Sequence, residues 1–364
     1  MKPNDREMLQ WQRAMLRANT LSLRGLGRTS PNPIVGAVIL DIAGEEVGSG
    51  FHAGVEHAEV LAINNARAHG FKDFSKATLV VTLEPCNHHG KTPPCSDAII
   101  EAKFGRVVFA VSDPNPVASG GTERLKAAGI EVVSEVARDY VAYSNRAWLK
   151  KVQTGLPWII TKIASTLDGK IAAADGTSQW ITSEEARFDV AHLRSISDAV
   201  VTTTETVLRD NPNLTPRFPI EGNSNNDKNP VRIVMGERAI PHDAQIRNNR
   251  AETRFVSSRS FEELLDVARS EGWNQLLIEA GARFNSALLN TGIVDEVILY
   301  QAPSLLGQGK SFAEELPITT LNEKINMSFG EISRIGKDLR VQLLRSGNPD
   351  TALFQEEFLQ EGVR

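Results

Sequence analysis

His57-Ala58-Glu59-Val60, then Thr82-Leu83-Glu84-Pro85-Cys86, then His88-His89-Gly90-Lys91-Thr92-Pro93-Pro94-Cys95: the reading of this chain turns on these strings. Cys86 and Cys95 are its only two thiols. One imidazole (His57) and two thiolates make a three-donor set for Zn²⁺. A zinc site that stops at three protein ligands keeps its fourth tetrahedral position for water, as catalytic sites do and structural sites do not. Glu59 is then a carboxylate beside the metal that does not bind it.

That order, H-x-E followed by P-C and a second Cys, is the pattern with which zinc-dependent nucleobase deaminases hold metal and shuttle protons. Geometry restricts it. Residues two apart point to nearly opposite sides of a helix, so His57 and Glu59 converge only if His57 stands in the first turn. Gly54, just upstream, permits such an entry. Cys86 and Cys95 are expected at or near another helix start, where free N–H groups and the dipole favour thiolate. Eight residues, Asn87 to Pro94, separate the thiols, which departs from the short P-C-x-x-C form. The insert either folds over the pocket and offers His88 and Lys91 to a ribose phosphate, or is a solvated loop. A structural zinc site would need a fourth protein ligand, for instance His88 or His89.

Length and charge bound the rest. A chain of 364 residues suggests two domains or three. A net charge of −5 argues against a nucleic-acid partner. Two cysteines cannot build a disulfide framework, which suits a reducing cytoplasm. The charged first residues lead us to expect no signal peptide, and no apolar run of membrane-spanning length is seen in the sequence, so no membrane partner is expected. Homo-oligomerisation is left open. Five of the seven histidines lie in the first hundred residues with both thiols, so metal chemistry belongs to an N-terminal domain.

The pattern along that domain is α/β: a helix over 6–24, strands over 34–40 and 47–51, a helix over 57–68, a strand over 78–83, a helix over 96–104, a strand over 107–111, a helix over 122–128 and a strand from 130. Residues 134–151 read as one connecting helix, closed by Gly155 and Pro157. This sets expected domains at 1–150 and 151–347, with a poorly ordered tail over 348–364. Beyond it come a strand over 158–164, a turn at Asp168-Gly169, and a capping box Thr182-Ser183-Glu184-Glu185 ahead of a helix to Ser195. Strands follow at 199–201, 231–234 and 276–278, with a late pair over 294–300 and 339–344. Residues 221–229 read as an exposed loop. Leu276 to Arg283 is an apolar strand running into a helix begun by Gly281, whose free N–H groups suit a pyrophosphate. No G-x-G-x-x-G follows a strand, so a Rossmann site is not indicated.

The longer strings resemble one family, the bifunctional deaminase/reductase of bacterial riboflavin biosynthesis. Gly27-Arg28-Thr29-Ser30-Pro31-Asn32-Pro33, H-A-E-V, T-L-E-P-C and Ser112-Asp113-Pro114-Asn115-Pro116 carry the likeness in the first half. Ser165-Thr166-Leu167-Asp168-Gly169-Lys170, Ser178-Gln179-Trp180-Ile181-Thr182, Asp210-Asn211-Pro212-Asn213-Leu214-Thr215 and Glu279-Ala280-Gly281 carry it in the second. The resemblance implies a cytidine-deaminase-like three-layer domain followed by a dihydrofolate-reductase-like α/β domain. It implies hydrolytic deamination of a diaminopyrimidinone ribotide, then reduction of the ribosyl group by NADPH.

By the same resemblance, Asn32, His88, Lys91 and Asn115 contact the deaminase substrate. Ala164, Trp180, Thr206, Asp210 and the segment Gly281, Ala282, Arg283, Phe284, Asn285, Ser286, Ala287 hold NADPH. Lys162, Ser178, Arg194, Leu214, Arg217 and Glu279 hold the reductase substrate, the two arginines suiting a phosphate through bidentate bonds. Three departures limit the transfer. The stretch from His52 to His57 is two residues shorter than the family's, which removes the basis for a substrate role at His52. Ser119-Gly120-Gly121 stands where the family has Gly-Arg-Gly. Met235-Gly236-Glu237 replaces an Asp-containing turn.

Overall fold

Asn4 caps the first helix, α1 (Asp5–Ser22), by taking the Glu7 N–H while Glu7 takes that of Asn4. An antiparallel hairpin follows, β1 (Gly36–Leu40) with β2 (Glu46–Phe51). Then come α2 (Ala58–Ala68), β3 (Thr78–Leu83), α3 (Cys95–Ala102), β4 (Arg106–Val111), α4 (Gly121–Ala127) and β5 (Glu131–Val133). The strands form one sheet in the order β2-β1-β3-β4-β5. β1 runs antiparallel to β3, while β3, β4 and β5 are parallel. Every residue of β1 and β3 is buried, as continuous apolar runs are when helices cover both faces of a sheet.

The computed structural model describes residues 4–52, 54–90, 92–116, 119–216 and 229–345. Lys91, Arg217, 221–228 of the expected loop and the tail lie outside them. The chain divides into two compact units after Gly155. Gly50 on β2 sets the seat of α2, because a Cβ there would stand 2.6 Å from the Ala58 carbonyl oxygen. Only a bare backbone lets the first turn of α2, with His57 and Glu59, lie this close to the sheet.

The connection expected as one helix over 134–151 is two, α5 (Arg138–Ser144) and α6 (Arg146–Thr154), broken at Asn145 (φ −99°, ψ 10°). Asn145 has other work. Its Oδ1 accepts the Ile34 N–H at 3.0 Å and its Nδ2 donates to the Ile34 carbonyl at 2.7 Å. The unit closes as α6 ends on left-handed Gly155 (φ 72°).

The second unit runs β6 (Trp158–Thr166), β7 (Lys170–Ala172), α7 (Glu184–Ser195), β8 (Ala199–Thr203), α8 (Thr204–Asp210), β9 (Val231–Met235) and β10 (Thr253–Val256). It continues through α9 (Phe261–Glu271), β11 (Gln275–Ile278), α10 (Ala282–Thr291), β12 (Glu296–Ala302), β13 (Lys310–Ser311), β14 (Met327–Ile335) and β15 (Asp338–Arg345). Eight strands form the order β10-β9-β8-β11-β6-β12-β15-β14. The first six are parallel. β15 pairs antiparallel with β12, and β14 with β15. This is the dihydrofolate-reductase-like arrangement, and the late strand pair does meet edge to edge.

The capping box expected at Thr182 does not form. Ser183 is the N-cap, its Oγ takes the Ala186 N–H, and the third helical residue is an alanine with no carboxylate to return. Asp338 on β15 supplies that bond instead, accepting the Ser183 N–H at 2.6 Å. β7, β10, β13, β14, α8 and α9 have no counterpart among the elements the sequence predicts.

Candidate active sites

His57 is the N-cap of α2, in extended conformation (φ −82°, ψ 156°), and its ring makes no capping bond. Nδ1 stands 3.1 Å from the Cys95 sulfur and 3.5 Å from that of Cys86. The three donor atoms lie within 4.8 Å of one another. A tetrahedral zinc with bonds of about 2.0 Å to nitrogen and 2.3 Å to sulfur sets its donors roughly 3.5 Å apart. The set fits zinc. Neither His88 nor His89 joins it, so among the described residues no fourth ligand closes the site.

Cys95 is the first residue of α3, and its N–H donates to the Cys86 sulfur at 3.4 Å. Hydrogen bonds from Cys95 and His57 pull the Cys86 thiol down to about 4. Its bond to Cys86, with burial, pushes Cys95 well up. Zn²⁺ would be held here by the two sulfurs as thiolates together with the imidazole. Glu59, in the first turn of α2, is 4% exposed. Burial, with the neighbouring Cys86 charge, raises its carboxyl to about 7. A carboxyl poised there can both take and give a proton near neutrality.

Glu84 ties a second loop to this centre. Its carboxylate accepts the Asp113 N–H at 3.3 Å and the Thr122 N–H at 2.9 Å. Asp113 in turn accepts the Asn115 N–H at 2.8 Å. Asp113 lies near enough to feel the charges of Glu84, Cys86 and His88. Gly121 makes this approach feasible, since a Cβ there would fall 1.9 Å from the Pro85 carbonyl oxygen. Asn32 lies on an exposed turn anchored by the Asn145 clamp and by Lys151, which donates to the Pro31 carbonyl at 2.8 Å. His88 is half-buried. His52 is buried, its Nδ1 bonds the Glu56 carbonyl at 2.9 Å, and its ring stands edge-on to that of His57.

In the second unit, Arg194 is buried, 7% exposed. It grips both oxygens of Glu279, Nε at 2.5 Å and Nη2 at 2.8 Å, and Nη1 donates to the Thr215 carbonyl at 3.3 Å. Lys162 Nζ stands 3.7 Å from the same carboxylate. Burial pulls the Lys162 ammonium below its ordinary value, with Glu279 opposing. Ser178 donates to Asp210 at 3.4 Å. Three of the expected substrate residues thus meet at one carboxylate, and Ser178 meets an expected cofactor residue.

Gly281 is the N-cap of α10, with no side-chain bond and nothing within 4 Å of where its Cβ would be. The first-turn N–H groups of a helix lack partners within it, so this open cradle at the start of α10 can receive an anion. Asn285 and Ser286 are buried; Asn285 accepts from Thr161 and donates to the Ala280 carbonyl, so its side chain shapes the cradle. Arg283 is exposed and paired with Glu315. Trp180 is 58% exposed, with the Arg187 guanidinium 4.7 Å above its ring. Thr206 bonds Thr203, and Ala164 pairs with Tyr300 on β12. Leu214 is buried, with left-handed backbone (φ 58°).

The family described as "RibD C-terminal domain" matches residues 157–341. The "Cytidine and deoxycytidylate deaminase zinc-binding region" matches residues 8–111. Riboflavin biosynthesis protein RibD of Escherichia coli K12 is 39% identical over 366 residues, covering 91% of this chain and 98% of its own. The chain belongs to the RibD family. The Mycobacterium tuberculosis RibD is 42% identical over 321 residues, covering 87% and 92%. A Thermotoga maritima structure titled diaminohydroxyphosphoribosylaminopyrimidine deaminase/5-amino-6-(5-phosphoribosylamino)uracil reductase superposes with a TM-score of 0.85. It is 32% identical and covers 93% of this chain and 99% of that one. Acinetobacter baumannii RibD gives 0.83 at 36% identity, with the same coverage.

As a RibD-family protein the chain is a bifunctional riboflavin-biosynthesis enzyme, with a zinc-dependent deaminase and an NADPH-using reductase. No helix among the described residues is long and apolar enough to cross a membrane. The sequence points to no site role for Glu84, Asn145 or Arg232, and to a turn alone at Asp168. Glu84 and Asp168 sit inside the T-L-E-P-C and Ser165–Lys170 motifs; Asn145 carries no local signal at all.

Proposed function

We propose that the first unit deaminates 2,5-diamino-6-(5-phosphoribosylamino)pyrimidin-4(3H)-one and that the second reduces the ribosyl group of the product to ribityl. The observation that carries this is the three-donor cluster of His57, Cys86 and Cys95 beside buried Glu59. Zinc, when bound there, supplies a Lewis acid that brings water's acidity near neutrality. Glu59 takes a proton from the attacking water and gives it to the departing amine. Asn32, His88, Lys91 and Asn115 orient the ribotide. The His52 ring stands edge-on to that of His57, with centroids 5.4 Å apart.

For the reductase, NADPH supplies the hydride, and the protein's task is alignment. Gly281 and the N–H groups after it receive the pyrophosphate; Trp180, Thr206, Asp210 and Ala164 line the remainder. Lys162 and Glu279 present a donor and an acceptor to the ribose, and Arg194 keeps Glu279 in place. Ser178, Leu214 and Arg217 complete the contacts. A reducing cytoplasm keeps Cys86 and Cys95 available as metal ligands.

The test is incubation of purified protein with the diaminopyrimidinone ribotide, with and without NADPH, and product identification by mass. Ammonia release alone is expected without NADPH, and the ribityl product with it. No ammonia release from zinc-loaded protein, or NADPH oxidation without ribotide, contradicts the reading.

A further inference from the structure

Arg232 lies within β9 with no exposed surface, and no ion pair to it is found among the described residues. Its guanidinium donates instead to neutral oxygens. Nη1 reaches the Asn213 carbonyl (3.1 Å), Asn213 Oδ1 (3.3 Å) and Asn248 Oδ1 (3.1 Å). Nη2 reaches the carbonyls of Asn248 (2.7 Å) and Ala251 (2.6 Å). A buried charge without a countercharge is costly, and an apolar side chain would fill a strand centre at less expense. Burial does pull this guanidinium's pKa down.

The charge ties the segment after α8, at Asn213, to the turn at Asn248 and Ala251. Asn211 Oδ1 accepts the Gln245 N–H at 2.8 Å, and Asn248 Nδ2 donates to Asn213 Oδ1 at 3.1 Å. Leu214 comes next, buried and left-handed at φ 58°. A leucine resists that region because its Cβ crowds the backbone carbonyl. Guanidinium anchors stand on both sides of it: Arg232 on the Asn213 carbonyl, and Arg194 on the Thr215 carbonyl at 3.3 Å. Arg194 is the residue that also grips Glu279.

We propose that Arg232 is a positioning residue of the reductase, fixing Leu214 in its left-handed conformation and so setting the loop that meets the ribotide. The inference rests on the reading above that this loop contacts substrate. Arg232 reaches substrate only through Asn213 and Leu214, so its loss should appear in ribotide recognition and spare the α10 cradle.

The experiment is a steady-state cycle on the full zinc-loaded chain with 5-amino-6-(5-phosphoribosylamino)uracil, comparing Arg232→Lys, Leu214→Gly and the double variant, with NADPH affinity measured separately. Arg232→Lys is expected to raise the ribotide KM about tenfold, the loss corresponding to one charge-assisted bond, with NADPH affinity unchanged. Asn248→Ala, on a half-buried residue, removes the bridge between the guanidinium and Asn213 and should move KM the same way. In the Leu214→Gly background, where φ no longer needs enforcing, Arg232→Lys should matter less. Equal loss of ribotide and NADPH affinity, or the same Arg232→Lys effect in both backgrounds, makes Arg232 a general stabiliser and overturns the proposal. Unchanged KM in Leu214→Gly contradicts the underlying reading instead, since the loop would then not touch substrate.

Discussion

Asn145 holds Ile34 by both backbone groups, accepting its N–H at 3.0 Å and donating to its carbonyl at 2.7 Å across 111 positions of sequence. The bond pair fastens the Thr29–Pro33 turn, which carries Asn32, to the junction between α5 and α6. Asn145→Ala leaves two buried backbone groups unpaired, at about 1–3 kcal/mol each. Deaminase turnover should show a raised KM for the diaminopyrimidinone ribotide, while NADPH oxidation on the deaminated ribotide stays unchanged. Equal loss in both activities would point to global unfolding.

Arg194 and Glu279 form a buried bidentate pair, with side chains 9% and 8% exposed. Arg194→Met strands the carboxylate next to Lys162 alone. Breaking such a pair from one side costs about 3–5 kcal/mol. Calorimetry should register that loss, NADPH oxidation should fall, and ammonia release should persist. An unshifted unfolding transition would mean that Glu279 finds another partner.

Asp168 pins a loop. Its carboxylate accepts the Leu306 N–H at 3.2 Å and the Gly307 N–H at 2.8 Å, and the Thr166 hydroxyl as well. The Thr166 hydroxyl first, then these N–H groups, hold its pKa below the usual carboxylate range. A depressed carboxylate contributes stability that is fully present above its unfolded pKa and lost only as pH falls through the folded one. The latch should therefore stay shut from neutrality into mildly acid solution and open below the ordinary carboxylate range. Amide hydrogen exchange at Leu306 and Gly307 checks this: Asp168→Asn should speed exchange at neutral pH, and unaltered protection would contradict the latch.

Much of this was legible in the residues. His57 as N-cap with Glu59 inside the first turn is what the two-residue spacing required of any helix that uses both. The runs 34–40, 78–83 and 107–111 read as strands because burial on both faces removes polar residues, and the strands form over 36–40, 78–83 and 106–111. Other parts were hidden for physical reasons. Asn145 breaks the 134–151 helix through a tertiary bond to Ile34 that no local pattern announces. The Thr182 box failed because Asp338, far along the chain, already satisfies the N-cap amide. β14 alternates poorly: Phe329 and Ile332 both stay exposed around an irregularity in its pairing with β15. α9 does carry a sequence signal, Ser260 three residues ahead of Glu263 and Gly272 at the end, and in the structure Ser260 is the N-cap whose oxygen takes the Glu263 N–H. The reductase contacts could not be derived from spacing at all, since Lys162, Arg194 and Glu279 converge from β6, α7 and the end of β11.

Catalysis in the first unit rests on His57, Cys86 and Cys95 holding zinc while Glu59 moves the proton. The direct measurement is zinc stoichiometry and ammonia release on the same preparation of Glu59→Gln. Zinc is expected to stay at the wild-type level while deamination falls about 10²–10⁴-fold. Ammonia release at the wild-type rate, or zinc lost together with the carboxylate, would contradict this assignment.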